Sequence, residues 1–340
     1  MLIEEIWHLL ETDAAAGGKG SGGWLMRLAK PAATCPLFLA LELSSRRRAI
    51  LLRLPPNSLP SRRLWPRSRG LESIALSIAG EPHFGVRLKE SRYADVFTAL
   101  TEDLVRRVTD TASPAAQARA FLGQLTRWQK FLSASSDGLG DEAQRGLWGE
   151  LHLIHSFLLP AFGTASVHSW KGGERAHQDF QMTTGAIEVK TTLAKQPQVV
   201  RITSERQLDT STLPALFLNV TAVGLRAGGE TLPGLVALVR KELSADSSAS
   251  EQFEDELLEA GYLDAHSGRY DSGYAVRSMS FFLVAGGFPR LVEASMPVGT
   301  GDANYALTVS ACEPYRVGNA EVVAALSPHA PPATRRRKRV

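Results

Sequence analysis

The stretch His177-Gln178-Asp179-Phe180-Gln181-Met182-Thr183-Thr184-Gly185-Ala186-Ile187-Glu188-Val189-Lys190-Thr191-Thr192 decides the fold. It reads as a β-hairpin turning at Thr184-Gly185. Alternate residues of a strand face the same way, so Glu188 and Lys190 share one face while Ile187, Val189 and Thr191 take the other. Asp179, on the opposing strand, can place its carboxylate beside them. Two carboxylates at one site repel unless a cation joins them, and hard oxygen ligands with room for water and phosphate oxygens select Mg²⁺ or Mn²⁺. Such an ion would polarise a phosphodiester and lower the pKa of a bound water. Lys190 would steady the attacking hydroxide and the charge building on the phosphorane oxygens. The residue types therefore predict a hydrolytic phosphodiesterase site with Asp179, Glu188 and Lys190 as catalytic residues.

The flanking segments supply a frame for that hairpin. Upstream, 141–160 carries Leu147, Leu151, Ile154 and Leu158 on one stripe and reads as a helix ended by Pro160. Downstream, strand-like runs follow at 199–202 and 215–223, with a short helix opening at Ser204 between them. Helices are expected at 234–243 and 250–260, and strands at 274–284 and 305–311. Nearer the N-terminus, apolar bursts at 37–43, 49–54, 73–78 and 85–88 read as strands, the first two turning at Arg46–Arg48. Val96, Leu100, Leu104 and Val108, then Phe121, Leu125, Trp128 and Leu132, recur at helical spacing, with Ser113-Pro114 as a cap and first-turn proline.

Asp179, eight intervening residues and Glu188-Val189-Lys190 resemble the signature of the PD-(D/E)XK nucleases. Many members of that superfamily carry a glutamate on the helix before the core sheet, where Gly149-Glu150 falls. More narrowly, Gly149-Glu150, Asp179-Phe180, Glu188-Val189-Lys190-Thr191-Thr192 and Ser204-Glu205-Arg206-Gln207-Leu208 together resemble the "PD-(D/E)XK motif protein" family. Its members tend to be encoded beside DNA methyltransferases and helicase-like proteins in bacterial phage-defence clusters. The resemblance covers 141–223 well and the flanks in layout only. Gln178 replaces the usual proline before the aspartate, a residue that shapes the turn and binds no metal. The resemblance implies an α/β, restriction-endonuclease-like core, a central mixed sheet flanked by helices. It also implies a metal held by Glu150, Asp179, Glu188 and the Val189 carbonyl, with Lys190 positioning the nucleophile, and it makes Arg206 and Gln207 candidate nucleic-acid contacts.

Composition sets the outer bounds. At 340 residues, 44% apolar and 21% charged, the chain is a folded, soluble protein large enough for two domains, and collagen, coiled-coil rods and wholesale disorder are excluded. No apolar run approaches the roughly 18 residues that cross a bilayer. Glu4 and Glu5 stand where a secretory signal would carry Lys or Arg, so export is not expected. Cys35 and Cys312 are too few for a disulfide framework or a zinc site, and a cytoplasmic location fits. His152 and His155 lack further zinc ligands and read as packed or satisfied; Gly17-Gly18-Lys19-Gly20-Ser21 has Gly20 where a phosphate loop needs Ser or Thr. The net charge of +3 hides a concentration: Arg46, Arg47, Arg48, Arg53, Arg62, Arg63, Arg67 and Arg69 occur in 43–71 without an acid. A second basic run occupies Arg335–Arg339. Phosphates are the natural partner of such fields, and Arg46, Arg47, Arg48, Arg62, Arg63, Arg67 and Arg69 are expected on a DNA-contacting surface.

The expected organisation is a β-rich module at 1–92, a helical connector at 93–139, the nuclease core at 140–225, an α+β extension at 226–320 and a disordered basic tail at 321–340. The expected function is Mg²⁺-dependent cleavage of DNA in a restriction or phage-defence system. Its alternatives are a non-catalytic DNA-binding or assembly subunit that keeps the fold, and an RNA-acting nuclease. Cutting both strands needs two sites, which a homodimer would supply.

Overall fold

A computed structural model describes residues 2–31, 35–55, 65, 70–109, 111, 113–134, 138–172 and 176–328. The chain divides into two compact units, Met1–Gly138 with Leu263–Ala265, and Leu139–Tyr262 with His266–Val340.

The first unit opens with α1 (Ile3–Ala15), whose Ile3, Ile6, Trp7, Leu10 and Ala14 form a buried stripe at helical spacing, with Glu4 and Glu5 in the first turn. Strands β1 (Trp24–Leu28), β2 (Leu37–Glu42), β3 (Arg48–Arg53), β4 (Leu71–Ile78) and β5 (Glu81–Leu88) follow. They form one antiparallel sheet in the order β1-β2-β3-β5-β4. Helices α2 (Ala94–Val108) and α3 (Pro114–Ala134) complete the unit. Buried Asp103 of α2 joins them by accepting from Trp128 Nε1 of α3 at 2.8 Å. The expected strands of 1–92 are present, and α1 is an addition that was not expected. There the 3-6-7-10-14 spacing is helical, and the Gly-rich stretch after it marks a helix end rather than a strand boundary.

The second unit begins with α4 (Asp141–Leu153), a π-turn at Ile154–Leu158 and α5 (Leu159–Phe162). Pro160 does not end this helix as expected. It follows the π-turn, where the hydrogen-bond register has already shifted (Leu159 N–H to the Ile154 carbonyl), and the run stops at Gly163 with φ +70°. Next come β6 (Phe180–Met182), β7 (Gly185–Thr192), β8 (Val199–Ile202), a 3₁₀ turn at Glu205–Leu208 and β9 (Leu216–Glu230). Then follow α6 (Leu232–Leu243), α7 (Ser247–Glu259), β10 (Tyr274–Leu283), β11 (Tyr305–Thr308), β12 (Arg316–Val317) and α8 (Asn319–Leu326).

The sheet order is β12-β10-β9-β7-β6, with β7 and β9 parallel and the other neighbours antiparallel. This mixed sheet packed by helices is the expected α/β architecture. Ile187 and Val189 of β7 enter one apolar cluster with Leu147 and Leu151 of α4, whereas Ala186 enters a second with Val200, Leu218 and Phe282. The period of two thus places Glu188 and Lys190 with Ala186, on the face away from the first cluster. The expected core and extension share one sheet, because β10 pairs with β9 along its length. The expected connector helices fall in the first unit. Residues 321–326, assigned above to a disordered tail, lie in α8 and bury Val322 and Leu326; 329–340, with Arg335–Arg339, lie outside the described residues.

Both cysteines are buried and unpaired, and burial pushes each thiol up to about 11. Among the described residues no helix is long and apolar enough to cross a membrane.

The contact of α4 with β7 sets where the site forms, and Gly149 makes it close. A Cβ on Gly149 would fall 1.7 Å from Oγ1 of Thr191. Gly149→Ala is expected to lower stability by about 1–3 kcal/mol through overpacking. Removing the Thr191 hydroxyl in Gly149→Ala/Thr191→Ala should recover part of that loss. Thermal unfolding of the single and double variants checks this, and additive losses would refute the contact.

Candidate active site

The β6–β7 register pairs Phe180 with Ile187. Continued by one residue, it brings Asp179 across from Glu188, and directly opposed residues of an antiparallel pair share a face. Asp179 Oδ2 accepts a hydrogen bond from the backbone N–H of Val189 at 2.7 Å. Glu188 is 1% exposed. Lys190 Nζ lies 2.7 Å from Glu188 Oε1 as an ion pair. Neither Glu188 oxygen accepts a directed hydrogen bond among the described residues.

Lys190 Nζ also donates to Gln207 Oε1 at 3.2 Å, and the same oxygen accepts from the Thr203 N–H at 2.9 Å. Gln207 rides on the 3₁₀ turn Glu205–Leu208, which Ser204 opens by accepting from the Arg206 N–H at 3.3 Å. Gln178 Nε2 donates to the carbonyls of Arg206 at 2.9 Å and Gln207 at 3.3 Å. Arg290 Nη1 donates to the Leu208 carbonyl at 2.6 Å, and Glu205 Oε2 accepts from the Ala303 N–H at 2.9 Å. Glu150, near the end of α4, accepts from Trp170 Nε1 at 2.8 Å.

The electrostatics place the three acids in one field. Burial, then the Asp179 charge, raises Glu188 to about 8 against the pull of Lys190. Burial and the charges of Asp179 and Glu188 raise Glu150 well above the usual carboxylate range, with Trp170 opposing. Burial raises Asp179 too, opposed by Lys190 and the Val189 N–H. Burial alone would depress Lys190, but the Glu188 and Asp179 charges outweigh it and its pKa is raised.

Asp179, Glu188, Lys190 and Glu150 are thus brought together, with one correction. Among the described residues no three His, Cys, Asp or Glu side chains are placed to close on one ion. Each acid is turned to an internal donor instead: Asp179 to Val189, Glu150 to Trp170 and Glu188 to Lys190. Val189 enters through its N–H. The donors nevertheless fit a hard divalent cation, because Glu188 is buried and three acids face a single lysine.

Of the expected nucleic-acid contacts, Arg206 is exposed, with only a loose 3.8 Å approach to Glu205, and Gln207 is drawn into the site by Lys190. In the first unit Arg46 and Arg47 are exposed. Arg48 is not free for phosphate, because Glu4 and Glu11 hold it at 3.1 and 2.8 Å. Arg62, Arg63, Arg67 and Arg69 lie outside the described residues. His152 stacks on Trp148 at 5.0 Å, and His155 lies 3.0 Å from Glu242. Sequence reasoning missed Trp170, Gln178 and Arg290. Gln178 had a signal in its position beside Asp179, whereas the other two sit in no local pattern.

A family model described as "Putative PD-(D/E)XK family member, (DUF4420)" matches residues 3–310. No curated protein and no solved structure matches the chain.

A carboxylic acid whose folded pKa is raised holds its proton in the folded state when the unfolded chain has lost it. Its stabilising effect is therefore present at low pH and declines as pH rises from the unfolded value toward about 8 for Glu188. In metal-free buffer, stability should fall between about pH 4.5 and 8, on the order of a few kcal/mol at 1.36 kcal/mol per unit. Glu188→Gln should flatten that fall and raise the midpoint of thermal unfolding at pH 8. Melting curves across pH check this, and an unchanged slope in the variant would refute it.

Proposed function

The chain belongs to the PD-(D/E)XK family DUF4420, and from that premise we propose that it is a Mg²⁺- or Mn²⁺-dependent endonuclease that hydrolyses phosphodiester bonds of DNA. The nuclease-like fold is given by family membership together with the mixed sheet and its helices. The observation that carries the catalytic reading is the buried Glu188 carboxylate beside Asp179, ion-paired with Lys190 at 2.7 Å.

The reaction adds one water across a P–O bond and leaves a phosphate monoester and a free hydroxyl. Asp179 and Glu188, with Glu150 beside them, would hold the ion, whose chemistry when bound is to polarise the phosphodiester and acidify a water. Lys190 acts as a fixed cation. Its raised pKa keeps it an ammonium at neutral pH, so it donates hydrogen bonds to the nucleophile and to the phosphorane oxygens and does not abstract a proton. Glu188 and Gln207 hold that ammonium from two directions. A positively charged donor fixed before the reaction needs no reorganisation as charge develops.

DNA as substrate, and a restriction or phage-defence setting beside methyltransferases and helicase-like proteins, are supported by the motif resemblance. A homodimer would supply the two sites that cutting both strands needs. One observation favours a second reading, a non-catalytic DNA-binding or assembly subunit: each acid is engaged by an internal donor, and no three of them close on one point.

Purified protein should nick or linearise supercoiled plasmid in Mg²⁺ or Mn²⁺ and not in EDTA. Lys190→Ala, Asp179→Ala and Glu188→Gln should each slow cleavage by about 100-fold or more. Gel assays of initial rates check this, with a single-stranded RNA arm reading substrate class. Cleavage by all three variants at the wild-type rate would remove the assigned site, and a wild type that neither cuts nor binds Mn²⁺ would leave the subunit reading.

A further inference from the structure

The β2–β3 turn of the first unit is closed by Arg46, which adopts φ +56° while its N–H donates to the Glu42 carbonyl at 2.8 Å. This geometry turns Arg46 and Arg47 outward, and both are exposed. Beside them lies a hollow of about 430 Å³. It is lined by Ser45, Arg46, Arg47 and Arg48 of the turn, by Leu88 and Lys89 at the end of β5, by Ser91 and Ala94 at the start of α2, and by Glu11 of α1.

The charges around this hollow are sorted by partner. Arg48 is bound by Glu4 and by Glu11, the single acid in the lining, and lies 5.3 Å over the Trp7 ring. Just outside the lining, Arg87 takes up Glu42 and Glu72 at 2.7 Å each. Glu90 is paired with Arg92 at 2.8 Å. Arg46, Arg47 and Lys89 have no ion-pair partner among the described residues, and they come from two chain segments that converge on one concavity. Ser45 and Ser91 line the same space, the Ser45 hydroxyl donating to the Glu42 carboxylate. The hollow also has apolar lining from Leu88 and Ala94, and Glu72 feels the charge of Arg47 and Lys89 without forming an ion pair with either. Three cations left without an ion pair around one concavity suit a dianion or a phosphodiester. A volume more than ten times the roughly 30 Å³ share of one water admits a phosphate with part of its sugar.

We infer that Arg46, Arg47 and Lys89 form a phosphate-binding pocket that grips the backbone of the nucleic-acid substrate, apart from the Asp179–Glu188–Lys190 site. The choice of nucleic acid as the source of the phosphate rests on the nuclease reading; the phosphate chemistry of the pocket does not. The pocket narrows the arginine surface expected from sequence. It drops Arg48, which is already bound to acids, and adds Lys89, which composition did not single out.

The test is binding in EDTA, which separates it from cleavage. Arg46→Asn/Arg47→Ala/Lys89→Ala is compared with wild type and with an equal charge loss elsewhere, Arg119→Ala/Arg226→Ala/Lys241→Ala. Asn is used at position 46 because it tolerates the left-handed backbone. Fluorescence anisotropy with a short DNA duplex should show the pocket variant binding about tenfold more weakly. Its plot of log affinity against log salt should be shallower by about 1–2, since each phosphate contact contributes roughly 0.9 to the slope. The control variant should stay near wild type in both, and unchanged melting temperatures should show that all three proteins are folded. A pocket variant that matches the control in affinity and slope overturns the proposal. If wild type ignores the duplex but binds inorganic phosphate or a dinucleotide, and the pocket variant loses that binding, the pocket stands while its nucleic-acid source and the nuclease reading fall. Binding of none of these probes overturns the pocket, whatever the cleavage assay reads.

Discussion

The second unit is organised around a carboxylate buried in the interior of a sheet. Glu188 sits on β7 between β6 and β9 with 1% of its surface exposed, where an isolated charge would cost several kcal/mol. Its surroundings answer that cost only in part. Lys190, two residues along the same strand face, supplies one positive charge, yet Asp179 stands opposite and Glu150 approaches from α4. Three acids to one lysine leaves the cluster short of positive charge, and either a proton or a divalent cation can make up the deficit. A bound cation would therefore compete with the proton at Glu188. The parts that flank β7 keep this arrangement from relaxing: Gly149 lets α4 come close, and Gln207 holds the lysine from the far side.

What was legible in the sequence is what depends on local alternation. Glu188 and Lys190 share a face because they are two apart on a strand, and Asp179 meets them because a tight hairpin fixes its partner. The strands of the first unit and the stripe of α4 were readable for the same reason. What was not legible depends on hydrogen bonds to backbone carbonyls of distant segments. Gln178 and Arg290 both act by binding the carbonyls of the turn Glu205–Leu208, and a carbonyl looks alike in every residue. The π-turn at Ile154–Leu158 escaped as well, because it is an adjustment in hydrogen-bond register and leaves the apolar stripe unbroken.

Arginine content has a similar limit. A run of like charges predicts a field, but the field that reaches solvent depends on which side chains find acids in the fold. Arg48 and Arg53, from the same run, end on Glu11 and Glu81 at 2.8 Å each, whereas Arg46 and Arg47 form no ion pair among the described residues. Neighbours two residues apart thus divide between structural and outward-facing roles. The division follows the backbone: Arg48, on a strand, reaches Glu4 and Glu11 of α1, while Arg46, in a left-handed turn, is exposed.

The supports of the Glu205–Leu208 turn arrive late in the chain. Arg290 and Ala303, which bind its last carbonyl and its glutamate, follow β10, so during synthesis the acids of the hairpin emerge well before the segment that clamps the turn facing Lys190. At about 5–20 residues per second, several seconds separate the two events on the ribosome. A nascent chain therefore carries the acidic cluster without a fully clamped lysine. In the proposed nuclease, that order of assembly delays the finished site until most of the fold that constrains it has been made.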